Sequence, residues 1–198
     1  MEILKNIIIG YVILYIVIWL HEVGHAFCYW KYGAKKNPWV VSVTPYIFFS
    51  TPLPVNLEKE KLMTKRQQFN TAIAGVIVNL VFGIISMFII LIFGVKDNII
   101  IICLFYFATL HFSEAISYLT ISNIFLASDM KVIAEYNKKL RIPAFIIGFL
   151  GLLCLMYLIS KSVYEWRIYL IIFNIIVMAC MGFGRIIFTY IYNKNKCL

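Results

Sequence analysis

The fold is decided by residues 6–30, NIIIGYVILYIVIWLHEVGHAFCYW, an apolar run that ends around the pattern HEVGH. A helix of about 25 residues is long enough to cross the roughly 30 Å hydrocarbon core of a bilayer. No small-x-small cleavage site ends the run, and the chain continues directly into the histidines. We therefore expect a retained membrane span rather than a cleaved signal peptide.

The stretch His21–His25 has the spacing of a metal site. Imidazoles four residues apart lie on one helix face, about 40° apart around the axis, so both can bind one metal ion. Glu22 projects from the adjacent position and can act on a metal-bound water without being a ligand. HExxH also occurs in helices without chemistry, but ionisable groups inside a membrane span usually mark function. The pattern therefore predicts hydrolysis at one Zn²⁺ per chain.

The composition indicates a polytopic membrane protein. The 198 residues are 63% hydrophobic and 14% charged, and the mean hydropathy is +0.89. These values lie outside the range of soluble domains. The net charge of +9 does not indicate nucleic-acid binding, because the basic residues lie in the connections between apolar runs. The five cysteines form no CxxC pair, so we expect packing residues rather than disulfides or zinc ligands.

Five apolar runs predict an all-α polytopic membrane protein, with a single integral membrane domain over residues 1–198. The expected spans are residues 6–30, 69–94, 99–119, 142–160 and 169–192. Within the long connection, residues 39–55 are rich in β-branched and aromatic residues and are broken by three prolines. We expect an extended or re-entrant β-like segment at the membrane surface. It serves either as a packed plug or as an edge strand for an unwound substrate.

Polar residues in the later spans are further candidates. His111 and Glu114 are three residues apart on one helix face. They are expected to pair or to support the metal site from outside, and direct ligation is the alternative. Asn79 places an amide in the second span, either for helix packing or for the active site. Arg185 lies near the end of the last span and is expected to reach the interface.

Asp129 is the candidate for a third metal ligand. Two histidines need one more protein ligand if a fourth position is to stay open for water. Asp129 follows the third span and begins a short helical stretch, so an N-cap role for Asp129 or Ser128 is the alternative. Its carboxylate returns to the side of the membrane on which the first span ends.

The basic residues favour a topology with the N-terminus outside and the active-site end in the cytoplasm. Thirteen lysines and arginines then lie on the cytoplasmic side and four on the other. The cytoplasmic group is Lys31, Lys35, Lys36, Lys59, Lys61, Lys65, Arg66, Lys131, Lys138, Lys139, Arg141, Lys194 and Lys196, and the opposite group is Lys5, Lys96, Lys161 and Arg167. This topology agrees with the position expected for Asp129.

Taken together, the motifs resemble the site-2 protease (M50) family of intramembrane zinc metalloproteases. The resemblance covers roughly residues 10–135 and includes HEVGH in a span, Ala74-Gly75 followed by Asn79, and Asn123 followed by Asp129. It implies a catalytic core at about residues 6–140 with two additional spans at about 142–192. It also implies an integral membrane protein, expected in a prokaryotic plasma membrane.

The family pattern, carried over residue by residue, makes His21, His25 and Asp129 the zinc ligands and Glu22 the general base. Asn79 and Asn123 become polar groups around the substrate or its oxyanion. The sequence departs from the pattern at two places: Met130 follows Asp129 where the family has glycine, and Val76 stands where it commonly has proline. These departures keep His111 and Glu114 open as alternative ligands.

The expected function is intramembrane cleavage of a peptide bond. The partners implied are the lipid bilayer and a membrane protein or peptide substrate, such as a single-span regulator, a signal-peptide remnant or a small peptide precursor. A cation transporter or channel lined by intramembrane histidine and glutamate is the alternative from another class. A non-catalytic member of the family is the third, although the intact Glu22 argues against it.

Overall fold

The computed structural model describes residues 2–45, 50–94 and 98–196, with side chains as far as residue 191. Within these residues, five helices are long and apolar enough to cross a membrane. No strand occurs in the described part of the chain. The expected fold class, an all-α polytopic membrane protein, is therefore confirmed. Cys28, Cys103, Cys154 and Cys180 are all free thiols, while Cys197 lies outside the described residues.

The spanning helices run slightly longer than the hydropathy pattern predicts. The helices in chain order are α1 (Glu2–Lys31), α2 (Leu57–Lys61), α3 (Lys65–Phe93), α4 (Ile99–Ile116), α5 (Asn123–Phe125), α6 (Asp129–Tyr136), α7 (Arg141–Lys161) and α8 (Tyr164–Lys196). A π-helical segment, Ser117–Ser122, joins α4 to α5, and a 3₁₀ turn, Lys138–Leu140, precedes α7. The third span thus continues to Phe125, beyond the expected end at residue 119.

The third span is the centre of the molecule. Of the residues in its apolar stretch, 72% are buried inside the protein, whereas the share is only 22–28% in the other four spans. α4 packs against α1, α3, α7 and α8, and its side chains Phe105, Tyr106 and Phe112 are almost fully buried in the main core. Helices α1, α3 and α4 pack together as a three-helix unit, α7 contacts it through α4 and the π-helical segment, and α8 contacts these two elements and also α1.

Gly24 determines how closely the first two spans approach. A Cβ atom at this position would lie 2.8 Å from Cγ2 of Val78 and 3.0 Å from the carbonyl oxygen of Ala74. Because glycine has no side chain, α1 lies directly on the backbone of α3. The close crossing brings the histidines of α1 against α3.

The segment after α1 re-enters the molecule along that helix. Trp39 stacks on Trp19 with ring centroids 6.1 Å apart, and the Tyr11 hydroxyl donates a hydrogen bond to the carbonyl of Pro45. Tyr11 is twenty residues, or about 30 Å by helix rise, from the end of α1. Ser42 and Thr51 then pair in an antiparallel bridge with N–O distances of 3.0 and 2.9 Å. The extended, β-like character expected for residues 39–55 is confirmed for the described part, and residues 46–49 lie outside it.

Lys35 fastens the returning arm of this segment. Its side chain is buried and its ammonium group donates to the carbonyls of Pro52 and Pro54, at 2.7 and 2.9 Å. The backbone amide of Asn56 also donates to the carbonyl of Ala34, at 2.8 Å. Burial lowers the pKa of the Lys35 ammonium group from its ordinary value. The lysine is thus a structural donor, not one of the solvated interfacial charges.

Replacing Lys35 with methionine should loosen the returning arm without unfolding the helices. A hydrogen bond from a charged donor contributes about 1.5–3 kcal/mol, so backbone amides of residues 50–56 should exchange about 10- to 100-fold faster. Hydrogen exchange followed by mass spectrometry in detergent measures this change. Lys36→Met is the matched control, because Lys36 is exposed and should leave the exchange rates unchanged. Equal protection of residues 50–56 in both variants would contradict the role of Lys35.

Candidate metal centre

The two histidines of α1 face one another inside the protein. His21 and His25 are 2% and 5% exposed, so both rings are buried. Their Nε2 atoms are 3.0 Å apart, and the ring planes cross at 80°. Each of these atoms can offer a lone pair to a shared cation, as the four-residue spacing predicts.

The opposite nitrogen of each ring is held by α3. His25 Nδ1 lies 2.6 Å from the carbonyl oxygen of Thr71, to which it donates a hydrogen bond. His25 Nε2 is then left unprotonated in the neutral ring. His21 Nδ1 lies 3.0 Å from the amide of Asn79, and the other end of that amide lies 3.0 Å from His111 Nδ1. These contacts fix both rings in the way that outer partners orient metal-binding histidines.

The amide of Asn79 can serve either of two hydrogen-bond patterns. With its nitrogen toward His21, the His21 ring carries its proton on Nε2 and donates to His25. If the Asn79 amide is rotated by half a turn, its oxygen faces His21 Nδ1. That nitrogen then carries the proton, and His21 Nε2 is free to bind a cation. The oxygen and nitrogen of an amide are distinguished only by their hydrogen bonds. The site is therefore compatible with a bound metal without any backbone movement.

Gly75 makes room for the paired rings. A Cβ atom at this position would lie 2.6 Å from His25 Nε2 and 2.7 Å from His21 Nε2. Those distances are well inside van der Waals contact, so any side chain at position 75 displaces the two nitrogen atoms. The backbone of α3 thus forms one wall of the space in which a cation would lie.

The turn after the third span brings Asp129 to this space. Leu126 and Ser128 have positive φ angles of 52° and 51°, a conformation that costs non-glycine residues about 1–3 kcal/mol. Ser128 occupies the N-cap position of α6 but makes no side-chain capping hydrogen bond, and Asp129 is the first helical residue. The N-cap alternative therefore does not account for Asp129. Its Oδ2 instead lies 3.5 Å from His25 Nε2.

The donor set fits a zinc ion. One ligand atom each from His21, His25 and Asp129 lie within 4.8 Å of one another. Two imidazole nitrogens and one carboxylate oxygen match the ligands of catalytic zinc sites, which leave the fourth position for water. Burial raises the pKa of the Asp129 carboxyl, and positive charge on His25 and Arg185 opposes this effect. An additional cation would favour the ionised carboxylate further.

Glu22 and the donor set share one cavity. The cavity has a volume of about 640 Å³. Its walls include Glu22, which is 6% exposed, and Ser50 to Pro52 of the returning arm. The space thus has a carboxylate beside the donor set and an extended backbone along one wall. That combination provides a proton acceptor and a surface for a peptide.

Arg185 does not reach the membrane interface, so the snorkelling prediction is wrong. Its guanidinium turns inward, ion-pairs with Glu114 and donates to Ser117 Oγ at 2.6 Å. It also lies 3.5 Å from the ring centroid of Tyr118, which in turn stacks on His21 at 4.8 Å. The inward path is favoured because a buried carboxylate needs a charged partner.

His111 and Glu114 do not pair with each other, which corrects that part of the prediction. Glu114 binds Arg185, whereas His111 reaches Asn79 and is packed between the rings of Phe82 and Phe107. His111 thus supports His21 through the Asn79 amide, from outside the donor set.

The two asparagines lie away from the cavity walls. Asn79 is fully buried between His21 and His111. The Asn123 amide donates to the carbonyls of Leu119 and Arg141, at 3.1 and 2.8 Å, and its oxygen accepts from the Arg141 guanidinium at 3.2 Å. Neither asparagine is among the residues that line the cavity, and a role beside the substrate or its oxyanion stays a prediction.

Three contributors were missed from the sequence: the Thr71 carbonyl, the Tyr118 ring and the Arg185 guanidinium. A backbone carbonyl and a tyrosine in an apolar run carry no distinguishing signal. Arg185 carried a weak one, because it lies seven residues, about 10 Å by helix rise, inside the expected end of the last span at residue 192.

Comparison with known proteins gives one match. A family model described as Peptidase family M50 matches residues 9–192 of the 198-residue chain. The match extends beyond residues 10–135, over which the motifs resemble that family, and includes the last two spans. No curated protein and no solved structure matches the chain.

Substituting Gly75 with alanine should remove the metal while leaving the helices folded. The new Cβ would press on both Nε2 atoms, and we expect zinc affinity to fall by at least about 10- to 100-fold. Zinc per chain, measured by mass spectrometry after dialysis against a weak chelator, reports the change. Gly151→Ala is the control, because its Cβ would meet Ile116 at an ordinary 3.4 Å. Full zinc occupancy in the Gly75 variant would rule out a cation between these rings.

Proposed function

The chain belongs to peptidase family M50, and we propose that it is an intramembrane zinc endopeptidase with His21, His25 and Asp129 as the metal ligands. The observation that carries the proposal is the convergence of two buried Nε2 atoms and one carboxylate oxygen beside Glu22. The family membership supports a membrane-embedded metalloprotease in general. The geometry of this chain supports His21, His25 and Asp129 as the ligands and Glu22 as the base.

Asp129 is the proposed third ligand because its carboxylate, unlike the Nε2 atom of His111 or the Glu114 carboxylate, joins His21 and His25 in the group of described ligand atoms within 4.8 Å of one another. Glu114 is held by Arg185, and His111 is directed to Asn79. Asp129, by contrast, has an oxygen 3.5 Å from a histidine nitrogen and starts a helix that it does not cap. The strained turn at Leu126–Ser128 supports this assignment, because strain of this kind persists where function requires the geometry.

Zinc bound in this site would lower the pKa of a water molecule and polarise the scissile carbonyl. Glu22 would accept the proton from the attacking water and then deliver it to the departing amine. The carboxylate is suited to this task because it lines the cavity without belonging to the donor set. His21 and His25 are kept in place throughout by Asn79 and Thr71.

The substrate must present an unwound backbone to this site. Helical carbonyls are already hydrogen-bonded, so a membrane-spanning substrate has to open locally before attack. The arm formed by Ser50, Thr51 and Pro52 is extended and lines the cavity. We propose that the unwound segment of a single-span regulator, a signal-peptide remnant or a small peptide precursor lies along this arm inside the cavity.

We propose that the active-site end faces the cytoplasm. Thirteen of the basic residues lie in the connections on that side, and this bias orients membrane proteins. Lys96 lies outside the described residues, and the side chains of Lys194 and Lys196 are not described, so this argument rests on their sequence positions. Water would then reach the cavity from the cytoplasmic face.

Replacing Glu22 with glutamine should abolish cleavage and leave zinc binding intact. Loss of a general base costs about 10²- to 10⁴-fold in rate. The test co-expresses the protein with a panel of single-span membrane proteins and identifies cleaved peptide bonds by mass spectrometry. Purified Glu22→Gln protein should retain about one zinc per chain, as catalytic sites do without their base.

Two further results decide the test. Glu58→Gln, which changes an exposed carboxylate outside the cavity, should cleave as fast as the unaltered protein. Undiminished cleavage by Glu22→Gln would exclude Glu22 as the base. Zinc or proton flux into vesicles without any cleavage by the unaltered protein would favour the transporter alternative instead.

A further inference from the structure

The last helix enters the candidate active site through Arg185. Its guanidinium binds Glu114 and Ser117 and lies over the ring of Tyr118. Its side chain is only 11% exposed, although it projects from a helix outside the three-helix unit. Among the described residues that line the cavity, Arg185 is the one lysine or arginine.

Tyr118 connects Arg185 to the donor set. Its ring lies nearly parallel to that of His21, with an angle of 14° and a centroid distance of 4.8 Å. Its hydroxyl is within hydrogen-bonding reach of the Asp129 carboxyl. Tyr118 belongs to the π-helical segment, a type of distortion that is frequent at functional sites. Because the guanidinium packs on the Tyr118 ring, it helps to set the position of a side chain that contacts two of the proposed metal ligands.

The charges around the cavity give Arg185 a second effect. Five carboxylates line the cavity, and the most deeply buried of them, Glu114, is the one that pairs with Arg185; the others are those of Glu22, Glu60, Asp129 and Glu135. A divalent cation would be neutralised by Asp129 and Glu22, which leaves Glu114 to be neutralised by Arg185. Without the guanidinium, an unpaired carboxylate would remain in apolar surroundings, where it is strongly attracted to any other cation.

Successive turns of α8 contact the same region of the protein as Arg185. Thr189, one turn after Arg185 on the same face, accepts a hydrogen bond from the Ser128 amide at 3.2 Å. Gly182, about one turn earlier, lies so close to the π-helical segment that a Cβ would be 2.8 Å from Ile121. Consecutive turns of α8 thus contact the segment that carries Tyr118 and the turn that carries Asp129.

We infer that Arg185 is a positioning residue that keeps Glu114 out of the metal's ligand set and holds Tyr118 against His21. The inference rests on the proposed zinc site, and it makes α8 part of the catalytic unit rather than an additional span. Arg185 acts through Glu114 and Tyr118 and need not touch the substrate.

The test compares Arg185→Gln with the double variant Glu114→Gln/Arg185→Gln. The single variant frees a buried carboxylate and should lower kcat by about 10- to 100-fold, as loss of outer partners does at metal sites, with KM within about twofold. The double variant removes the unpaired charge and should recover the part of kcat that this charge costs, while the contact of Arg185 with Tyr118 stays lost. Arg185→Lys retains the charge and should lie between the single variant and the unaltered protein.

A spectroscopic readout separates this inference from the proposed function. Cobalt-loaded protein reports the ligand set through its visible absorption, whether or not a substrate is known. Arg185→Gln should shift that spectrum, and the double variant should restore it. Arg167→Gln is the matched control on the same helix, because Arg167 binds the carbonyls of Ser160 and Ser162 away from the cavity. It should leave kcat and the spectrum unchanged.

The outcomes are distinguishable. A double variant that stays as impaired as Arg185→Gln in both readouts would overturn the inference, because removing Glu114 would then have relieved nothing. An unshifted spectrum and unchanged kcat in Arg185→Gln would also overturn it. If Arg185→Gln does not fold, the cobalt spectrum of the double variant decides. A spectrum equal to that of the unaltered protein supports the inference, and a shifted spectrum contradicts it. Absence of cobalt binding in the unaltered protein would refute the zinc site itself.

Discussion

Burial of two imidazoles in a membrane span is the constraint on which the rest of the structure depends. A buried imidazole is stabilised when its nitrogens find hydrogen-bond partners or a bound cation, because an unpaired polar atom in an apolar interior is costly. In α1, the Nδ1 atoms of His21 and His25 are held by Asn79 and the Thr71 carbonyl of α3. The Nε2 atoms are left facing each other. The close α1–α3 crossing at Gly24 and the open backbone at Gly75 follow from this requirement, because both rings must fit between two helices.

The sequence was sufficient for features that depend on local patterns. Five apolar runs predicted the five spans, and the four-residue spacing of the histidines predicted their shared face. The basic connections and the number of spans predicted that Asp129 would return to the end of α1 that carries His25, and the two residues are in contact. The β-branched and aromatic residues of 39–55, with their prolines, predicted an extended segment, and its described part contains the antiparallel bridge between Ser42 and Thr51.

The sequence was insufficient where the partner of a side chain depends on helix rotation. Arg185 was expected at the interface because polar residues near the end of a span usually point outward. Instead, Arg185 lies on the face of α8 that packs against α4, where it pairs with Glu114. Glu114 was expected to pair with His111, which contacts Asn79 instead. The capping alternative for Asp129 likewise turned on backbone angles at Ser128 that composition does not specify. Each of these arrangements depends on contacts between residues far apart in the chain.

The most direct test of the central claim is X-ray absorption at the zinc edge of the purified protein. The account predicts one zinc bound by two imidazole nitrogens at about 2.0–2.1 Å and by oxygen donors at about 2.0–2.2 Å. The spectrum of Asp129→Ala should keep both imidazoles and change in its oxygen contribution. A sulfur shell at about 2.3 Å, fewer than two imidazoles, or an unchanged spectrum in Asp129→Ala would contradict a centre formed by His21, His25 and Asp129.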